Sequence, residues 1–243
     1  MRISIFGLGY VGAVTAACLA RDGHHVIGVD VNADKVAGLA AGRSPIVEEG
    51  LDELLAREVA EGRVQATTDA HRAVAETEVS MITVGTPPLG NGEPDLGFVF
   101  RVCGEIAAAV RAAGREHGVV LRSTVPPGTL ERCAALFAAE DAGVRLAFNP
   151  EFLREGSAIH DYDTPAYTII GTRDEVAEQQ VRAMYAAVDA PVVVVEPAVA
   201  EMIKYVANAW HATKIAFANE MGRLSKAFGV DGRDVMRVIA QDT

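Results

Sequence analysis

Three glycines near the N-terminus have the spacing of a phosphate-binding turn. Gly7, Gly9 and Gly12 lie in "IFGLGYVGAV", between an apolar run and a stretch of small residues. They fit the pattern G-x-G-x-x-G, which binds a dinucleotide when it follows a strand and opens a helix. Gly7 permits the tight turn, Gly9 lets the backbone approach a pyrophosphate, and Gly12 lets helix and strand pack closely. The helix N-terminus then offers N–H donors and a positive dipole end to the phosphates.

Asp30 supplies the second half of this pattern. It ends the next apolar run, "HHVIGVD", roughly 20 residues beyond the glycines, as the fingerprint requires. Its carboxylate can accept hydrogen bonds from both hydroxyls of a ribose, and it repels a 2′-phosphate. The pattern therefore predicts a dinucleotide site that prefers NAD to NADP. A purely structural turn with a surface aspartate is the alternative.

Hydroxyls and carboxylates follow three later apolar runs. "VGTP" and "RSTVPPGT" place Thr86 and Thr124 at the C-terminal ends of predicted strands. "NPEFLREGSAI" places Glu151 and Glu155 one helical turn apart, at a predicted strand-to-helix junction. Ligands of open α/β sheets bind at this edge, and two carboxylates there could perform acid/base chemistry. Ordinary turn chemistry for the threonines and a capping pair for the glutamates remain open as alternatives.

A polar stripe runs along a predicted long helix. Lys204, Asn208, His211 and Asn219 fall within an arc of roughly 80° at about 100° per residue. The rest of this segment is largely apolar, which predicts that the helix is buried and that its polar stripe lines a cleft. These side chains are donors that suit a sugar hydroxyl or an oxyanion. A narrow solvated face is the alternative.

The elements that must position these residues alternate between strands and helices. This alternation predicts an α/β fold, a Rossmann-type doubly wound and mainly parallel sheet. From Pro197 the sequence predicts one long helix closed near Gly229 and a second helix with Asp231 as its N-cap. We therefore expect a dinucleotide-binding domain over residues 1–196 and the start of a helical domain over 197–243. The predicted strands are "RISIF", "HHVIGVD", "VSMITVGTP", "GVVLRSTVPPG", "GVRLAFNPE", "AYTIIGT" and "PVVVVEP".

Composition excludes several classes of partner. The chain has 243 residues, half of them hydrophobic, and a formal net charge of -11. Such a surface repels nucleic acid and anionic membranes, so neither is an expected partner. There is no apolar run long enough to predict a membrane span. Cys18, Cys103 and Cys133 lie far apart in alanine-rich surroundings, which predicts small buried hydrophobes in a reducing cytoplasm. No metal site is predicted.

Taken together, several runs resemble the nucleotide-sugar dehydrogenases of the UDP-glucose/GDP-mannose dehydrogenase family. These enzymes oxidise a sugar 6-hydroxymethyl group to a carboxylate. "SPIVE", "IHDYDTP" and "NAWHATK" with His211 are similar to the branch that acts on GDP-mannose. The UDP-glucose branch tends to read I-P-I-Y-E and usually has another residue in place of this histidine. The matching runs are "ISIFGLGYVGAV", "GVDVN", "SPIVEEGL", "VGTP", "RSTVPPGT", "NPEFLREGSAI" and "AEMIKYVANAWHATKIAFANE".

The resemblance implies NAD as the cofactor, GDP-mannose or another nucleotide sugar as the substrate, and a role in polysaccharide biosynthesis. It also implies roles for particular side chains. A water held by Thr124, or Glu155 itself, is the candidate base, and Lys204 is the candidate for stabilising an oxyanion, with Asn208 beside it. The implied cofactor contacts are Gly7, Gly9, Tyr10, Val11, Gly12, Asp30, Lys35, Thr86 and Thr124. The implied substrate contacts are Glu155, Lys204, Asn208, His211 and Asn219.

One part of the family pattern is missing from the sequence. The family performs a four-electron oxidation with two NAD⁺ through a cysteine thioester, and its cysteine lies in a G-G-x-C-x-x-K-D run. None of the three cysteines lies in such a run, and the family's second nucleotide-binding domain has no counterpart within residues 1–243. We therefore expect an N-terminal portion that cannot complete the thioester half-reaction alone and that forms a homodimer through its long helix. UDP-glucose as the substrate, or a non-catalytic NAD-binding dimerisation module, are the alternatives.

Overall fold

The computed structural model describes residues 1–241. The chain divides into two compact units, Met1–Met202 and Ile203–Thr243, each described by itself. Asp242 and Thr243, which end the predicted helical domain, lie outside the described residues. The strands are β1 (Arg2–Phe6), β2 (His25–Val29), β3 (Val64–Thr67), β4 (Val79–Ile82), β5 (His117–Leu121), β6 (Val144–Phe148), β7 (Thr168–Gly171) and β8 (Val192–Val195). The helices are α1 (Tyr10–Arg21), α2 (Ala33–Ala40), α3 (Leu51–Ala60), α4 (Ala70–Glu76), α5 (Gly97–Ala113), α6 (Thr129–Ala139), α7 (Ala158–Asp163), α8 (Glu175–Met184), α9 (Pro197–Ala227) and α10 (Gly232–Ile239).

The eight strands form one sheet in the order β3-β2-β1-β4-β5-β6-β7-β8. All neighbours pair in parallel except β6 and β7, which are antiparallel. The chain leaves β1 toward β2 and β3 on one side and resumes with β4 on the other. The topological switch point therefore lies between β1 and β4, where such sheets bind their ligands. The predicted Rossmann-type, mainly parallel sheet is confirmed.

The central strands are buried on both faces, as their apolar sequences require. Every residue of β4 and β5 is buried. Two groups of helices flank the sheet: α1 packs with α3 and α7, and α5 packs with α4 and α6. In α1 the run from Gly12 to Ala20 is entirely buried, because small side chains allow this helix to lie close to the sheet.

Local sequence signals explain most helix boundaries. Asn32 and Asp174 accept backbone N–H groups in the first turns of α2 and α8, and Asp231 does so for α10 as predicted. Proline begins α9, where its missing N–H costs nothing. The helix ends at Ala227, two residues before Gly229, whose φ is 70°. A domain boundary at Pro197 stays a prediction.

Two predictions about the elements are wrong. Residues 149–157 form a loop, and α7 begins only at Ala158, so Glu151 and Glu155 are not one helical turn apart. The Glu151 side chain accepts the N–H of Leu153 over 2.7 Å, a local bond that competes with helix formation. The long helix is also not buried: from Asn208 onward nearly all of its residues are exposed, including Trp210 at 62%.

The sequence analysis also missed β3, whose run "VQAT" is too short and too polar to stand out. It pairs with β2 and adds the strand at one end of the sheet. The predicted strand "VSMITVGTP" ends at Ile82. The residues after Ile82 form a loop up to α5, which includes a bridge between Pro88 and Pro94. Thr86 therefore lies on a loop that the end of β4 positions.

Candidate functional site

The glycine turn lies between β1 and α1, at the topological switch point. Gly7 has a φ of 102°, a conformation that side chains rarely adopt. A Cβ atom on Gly12 would overlap the Gly7 carbonyl and come within 2.8 Å of Thr83 Oγ1. A Cβ atom on Gly9, by contrast, would meet nothing within 4 Å. The fold thus requires glycine at positions 7 and 12, whereas at Gly9 a side chain would meet no protein atom.

Helix α1 has no capping side chain. Its N-cap is Gly9, which has no side chain to accept a first-turn N–H, and its first turn contains no acidic residue. The first N–H groups of a helix have no partner inside the helix. These donors and the positive end of the helix dipole therefore face the open space at Gly9, an arrangement suited to an anion such as a pyrophosphate.

Asp30 follows β2 and turns back toward the glycine turn. Its Oδ2 accepts the N–H of Leu8 over 2.8 Å, and its Oδ1 accepts the N–H of Asn32 over 2.9 Å. The Lys35 ammonium lies 3.7 Å from Oδ2. Two backbone bonds fix the orientation of the carboxylate and leave each oxygen able to accept another bond. Asp30 and Lys35, both predicted cofactor contacts, are therefore adjacent.

The ends of β4 and β5 are joined by side-chain hydrogen bonds. The Thr86 hydroxyl donates to the Thr124 carbonyl over 2.8 Å, and the Ser123 hydroxyl donates to the Val84 carbonyl over 2.7 Å. Thr83 Oγ1 lies 2.8 Å from the Gly7 carbonyl oxygen, which ties the same edge to the glycine turn. The two threonines predicted from separate motifs thus lie side by side, and Thr83 and Ser123 are contacts that the motifs did not reveal.

Tyr10, the first residue of α1, contacts a residue that the sequence analysis quoted without a role. Its hydroxyl donates to Glu48 Oε2 over 2.6 Å and lies 3.0 Å from the Arg154 carbonyl oxygen. Glu48 also accepts the N–H groups of Gly156 and Ala158, each over 2.8 Å. Burial raises the pKa of Glu48, but the bonds from Tyr10 and the two amides outweigh it and hold that pKa below its ordinary value. Val11, the next predicted cofactor contact, is half-buried.

Glu155 and Glu151 occupy different positions in the loop after β6. Glu155 lies in the exposed part, between Arg154 and Gly156. Glu151 is half-buried near the strand end, where its carboxylate accepts the Leu153 amide. The loop begins at Asn149, whose side chain donates to the Ile169 carbonyl and accepts from the buried Arg122 guanidinium. Both glutamates therefore lie in the loop that follows the carboxyl end of β6.

The remaining predicted residues belong to the second unit. Lys204, Asn208, His211 and Asn219 all lie on the single uninterrupted helix α9, so their common side follows from regular helix geometry. Lys204 is 5% exposed, whereas the other three are exposed. The polar stripe exists, but the structure does not bury it along its length.

The three cysteines of the chain lie away from solvent. Cys18, Cys103 and Cys133 are buried and free, as predicted. Burial raises the pKa of the Cys18 thiol to about 12, which leaves almost no thiolate at neutral pH. Among residues 1–241, His, Cys, Asp and Glu side chains form no group that could hold a metal ion. Within the same range no helix is long and apolar enough to cross a membrane.

These features together fit a dinucleotide. The first-turn amides of α1 can hold the pyrophosphate against Gly9, and Asp30 can hold a ribose. The neighbouring Thr86 and Thr124 lie on the opposite side of the switch point, where the second half of a dinucleotide extends. The arrangement can therefore place a redox cofactor beside the loop that carries the two glutamates.

Comparison with protein families gives two matches. Residues 1–189 match the UDP-glucose/GDP-mannose dehydrogenase family, NAD binding domain, and residues 198–243 match the central domain of the same family. The first match covers the glycine turn, Asp30, both threonine loops and both glutamates. The prediction of NAD as the cofactor is thereby confirmed.

Individual relatives agree with this match. The whole chain is 50% identical to GDP-mannose 6-dehydrogenase of Pseudomonas syringae pv. syringae and covers 57% of it. A ternary complex of GDP-mannose dehydrogenase from Pseudomonas aeruginosa superimposes with a TM-score of 0.97 at 50% identity, over 100% of this chain and 57% of that one. A UDP-glucose dehydrogenase from the archaeon Pyrobaculum islandicum gives a TM-score of 0.94 at 46% identity, over 99% and 56%. The chain thus spans a little over half the length of the relatives it matches.

Proposed function

Because the chain belongs to the UDP-glucose/GDP-mannose dehydrogenase family, we propose that it supplies the dinucleotide-binding part of a GDP-mannose 6-dehydrogenase. The observation that carries the proposal is the open, uncapped glycine turn facing Asp30, joined through Thr83 to the threonine loops. Bound NAD supplies the hydride acceptor. The product is GDP-mannuronate, formed by oxidation of the sugar 6-hydroxymethyl group.

The roles of the site residues in this proposal follow from their chemistry. Glu155, or a water held by Thr124, accepts the proton from the reacting hydroxyl or hydrolytic water. Lys204 is a fixed and largely buried cation, which stabilises the oxyanion that develops on the substrate. Asn208, His211 and Asn219 present donors to the nucleotide sugar from the same side of α9. The exposed apolar residues of that helix, among them Trp210 and Phe217, supply a homodimer interface.

The preference for GDP-mannose rests on particular residues. The 50% and 46% identities to a GDP-mannose and a UDP-glucose dehydrogenase are too similar to choose between the two substrates. His211 on the polar stripe and the "SPIVE" segment that contains Glu48 favour GDP-mannose. All three cysteines are buried and none lies in the family's cysteine run, so this proposal assigns none of them to the thioester half-reaction.

Two measurements test the proposal. The 243-residue chain is titrated with NAD and NADP, and we expect it to bind NAD more tightly and to form no GDP-mannuronate by itself. The full product of its gene is assayed for NADH formation with GDP-mannose and with UDP-glucose at equal concentration. We expect two NADH per GDP-mannose consumed and at least about tenfold slower turnover of UDP-glucose, a difference of ~1.4 kcal/mol. Faster oxidation of UDP-glucose would contradict the substrate assignment, and absence of NAD binding would contradict the proposal as a whole.

A further inference from the structure

Glu48 joins two parts of the candidate site that are far apart in the sequence. It lies in the segment between α2 and α3, 38 residues from Tyr10 and 110 from Ala158. Its Oε2 accepts from the Tyr10 hydroxyl and the Gly156 amide, and its Oε1 accepts from the Ala158 amide. Both carboxylate oxygens therefore bind the loop after β6, and Oε2 also binds the Tyr10 hydroxyl at the start of α1.

The loop on the other side of Glu48 presents Glu155. The Ser157 amide donates to the Arg154 carbonyl over 3.1 Å, which closes a turn with Glu155 and Gly156 at its centre. The Tyr10 hydroxyl lies 3.0 Å from that same carbonyl. Gly156 in this turn has a φ of 86°, and the Glu155 side chain is exposed. Asp161 supports the two ends of this turn, since it accepts the Arg154 amide over 2.9 Å and the Ser157 hydroxyl over 3.1 Å, whereas Glu48 accepts the Gly156 amide at its centre.

We propose that Glu48 is a positioning residue of the site. Its carboxylate holds the Tyr10 ring at the dinucleotide turn and, at the same time, holds the 154–158 turn that carries Glu155. Binding of the cofactor at α1 and placement of Glu155 are then linked through this one side chain. This inference rests on the proposed function, since it assigns Glu155 and the glycine turn to one reaction.

The chain offers a matched pair of substitutions. Glu48→Gln keeps the size of the side chain but replaces one acceptor oxygen with an NH₂ group that cannot accept either an amide or a phenol proton. Glu49→Gln removes the same charge at the next residue, which is exposed and makes no hydrogen bond or ion pair within residues 1–241. Tyr10→Phe keeps the ring and removes only the hydroxyl.

The experiment measures hydrogen exchange of the Gly156 and Ala158 amides by NMR in the labelled chain, together with the Kd for NAD. For Glu48→Gln we expect exchange of these two amides to accelerate about tenfold, as loss of a hydrogen bond to a charged acceptor implies. We expect the Kd for NAD to rise about fivefold. Glu49→Gln should leave both quantities within about twofold of the unsubstituted chain.

A double-mutant cycle separates positioning from general destabilisation. If Glu48 connects Tyr10 to the turn, Tyr10→Phe changes amide exchange and NAD affinity less in the Glu48→Gln background than by itself, so the two effects are not additive. Additive effects, or unchanged amide exchange in Glu48→Gln, would overturn the proposal. If Glu48→Gln does not fold, Tyr10→Phe alone decides, with faster Gly156 exchange expected. A chain that shows the exchange effect but binds no NAD would instead refute the proposed function.

Discussion

Gly12 lies so close to Gly7 that a Cβ atom built on it would be 1.9 Å from the Gly7 carbonyl oxygen. The same atom would be 2.8 Å from Thr83 Oγ1, which itself lies 2.8 Å from that carbonyl. The start of α1, the end of β1 and the end of β4 therefore meet at one point with no room for a methyl group. This contact fixes the glycine turn at the switch point of the sheet.

Gly12 and Gly9, two of the three glycines of the turn, predict opposite effects on stability and binding. Gly12→Ala should lower the free energy of unfolding by about 3 kcal/mol, because backbone atoms must move to admit the methyl group. Gly9→Ala should leave stability unchanged or raise it by ~0.5 kcal/mol, since its φ of -84° suits alanine and its Cβ meets open space. It should nevertheless weaken NAD binding at least about tenfold by occupying the pyrophosphate position. Chemical denaturation and calorimetric titration measure the two quantities.

Gly104→Ala is the control for these substitutions. Gly104 lies within α5, and its Cβ would also meet nothing within 4 Å. We expect it to stabilise the chain by about 0.5–1 kcal/mol, as in any helix interior, and to leave NAD affinity unchanged. Equal NAD affinity in Gly9→Ala and Gly104→Ala would show that the space at Gly9 holds no phosphate.

Asp30 predicts the choice between NAD and NADP. Asp30→Asn removes the charge that repels a 2′-phosphate and releases Lys35, now 3.7 Å from the carboxylate. The ratio of the Kd for NADP to the Kd for NAD should therefore fall at least about tenfold, in keeping with the strength of hydrogen bonds to charged groups. Asp34→Asn, an exposed neighbour in α2, should not change the ratio. Fluorescence titration of both cofactors against the three proteins measures it, and an unchanged ratio in Asp30→Asn would contradict the assignment.

His117 predicts a loss of stability in mild acid. Its Nε2 lies 2.8 Å from Ser80 Oγ, its Nδ1 has no partner within the described residues, and it is 2% exposed. Burial, and secondarily the Arg115 charge, lower the pKa of His117 from its ordinary 6.5 to about 4. A histidine whose pKa is lower in the folded state than in the unfolded state costs no stability above the unfolded pKa. Below that pKa the unfolded state takes up the proton more readily, which destabilises the fold. Stability should therefore decline as the pH falls from 6.5 to about 4, by roughly 3 kcal/mol in total.

His117→Gln tests this titration. The glutamine cannot take up a proton. As the pH falls from 6.5 to 4, the free energy of unfolding should therefore decrease less in the variant than in the native chain. Urea denaturation at a series of pH values measures this difference. His71→Gln, at an exposed position in α4, should follow the native chain throughout. A difference that does not vary with pH would mean that His117 does not titrate in this window.

His211 predicts a selective effect on the sugar nucleotide. In the full product of the gene, His211→Ala should raise the KM for GDP-mannose about tenfold by removing a binding contact, with the KM for NAD unchanged. Glu220 lies on the opposite side of α9, roughly 160° from Lys204. Glu220→Ala should therefore change neither the KM for GDP-mannose nor the KM for NAD. Steady-state NADH formation measures both. An equal rise in both KM values would point to a structural role for His211.

The sequence by itself determined the parts of this protein that depend on short spacings. The glycine pattern, Asp30 after the next strand and the N-cap Asp231 were all correctly predicted, because each depends on neighbours within a few residues or on one strand–turn–helix unit. The alternation of apolar and alanine-rich runs likewise determined the fold class. The four polar residues of α9 share one side because the helix is regular.

Only the tertiary structure decided how the loops meet. The bond from Thr86 to Thr124 joins two strand ends, and Glu48 contacts residues up to 110 positions away. No periodicity encodes such contacts, since they arise when parallel strands bring their carboxyl ends to one edge of a sheet. The loop conformation around Glu155 was predicted wrongly for the same reason: Glu48, Asp161 and the Glu151 side chain satisfy backbone amides that a helix would otherwise use. The exposed face of α9 also departs from its amphipathic pattern, because burial requires a partner surface that the pattern alone does not specify.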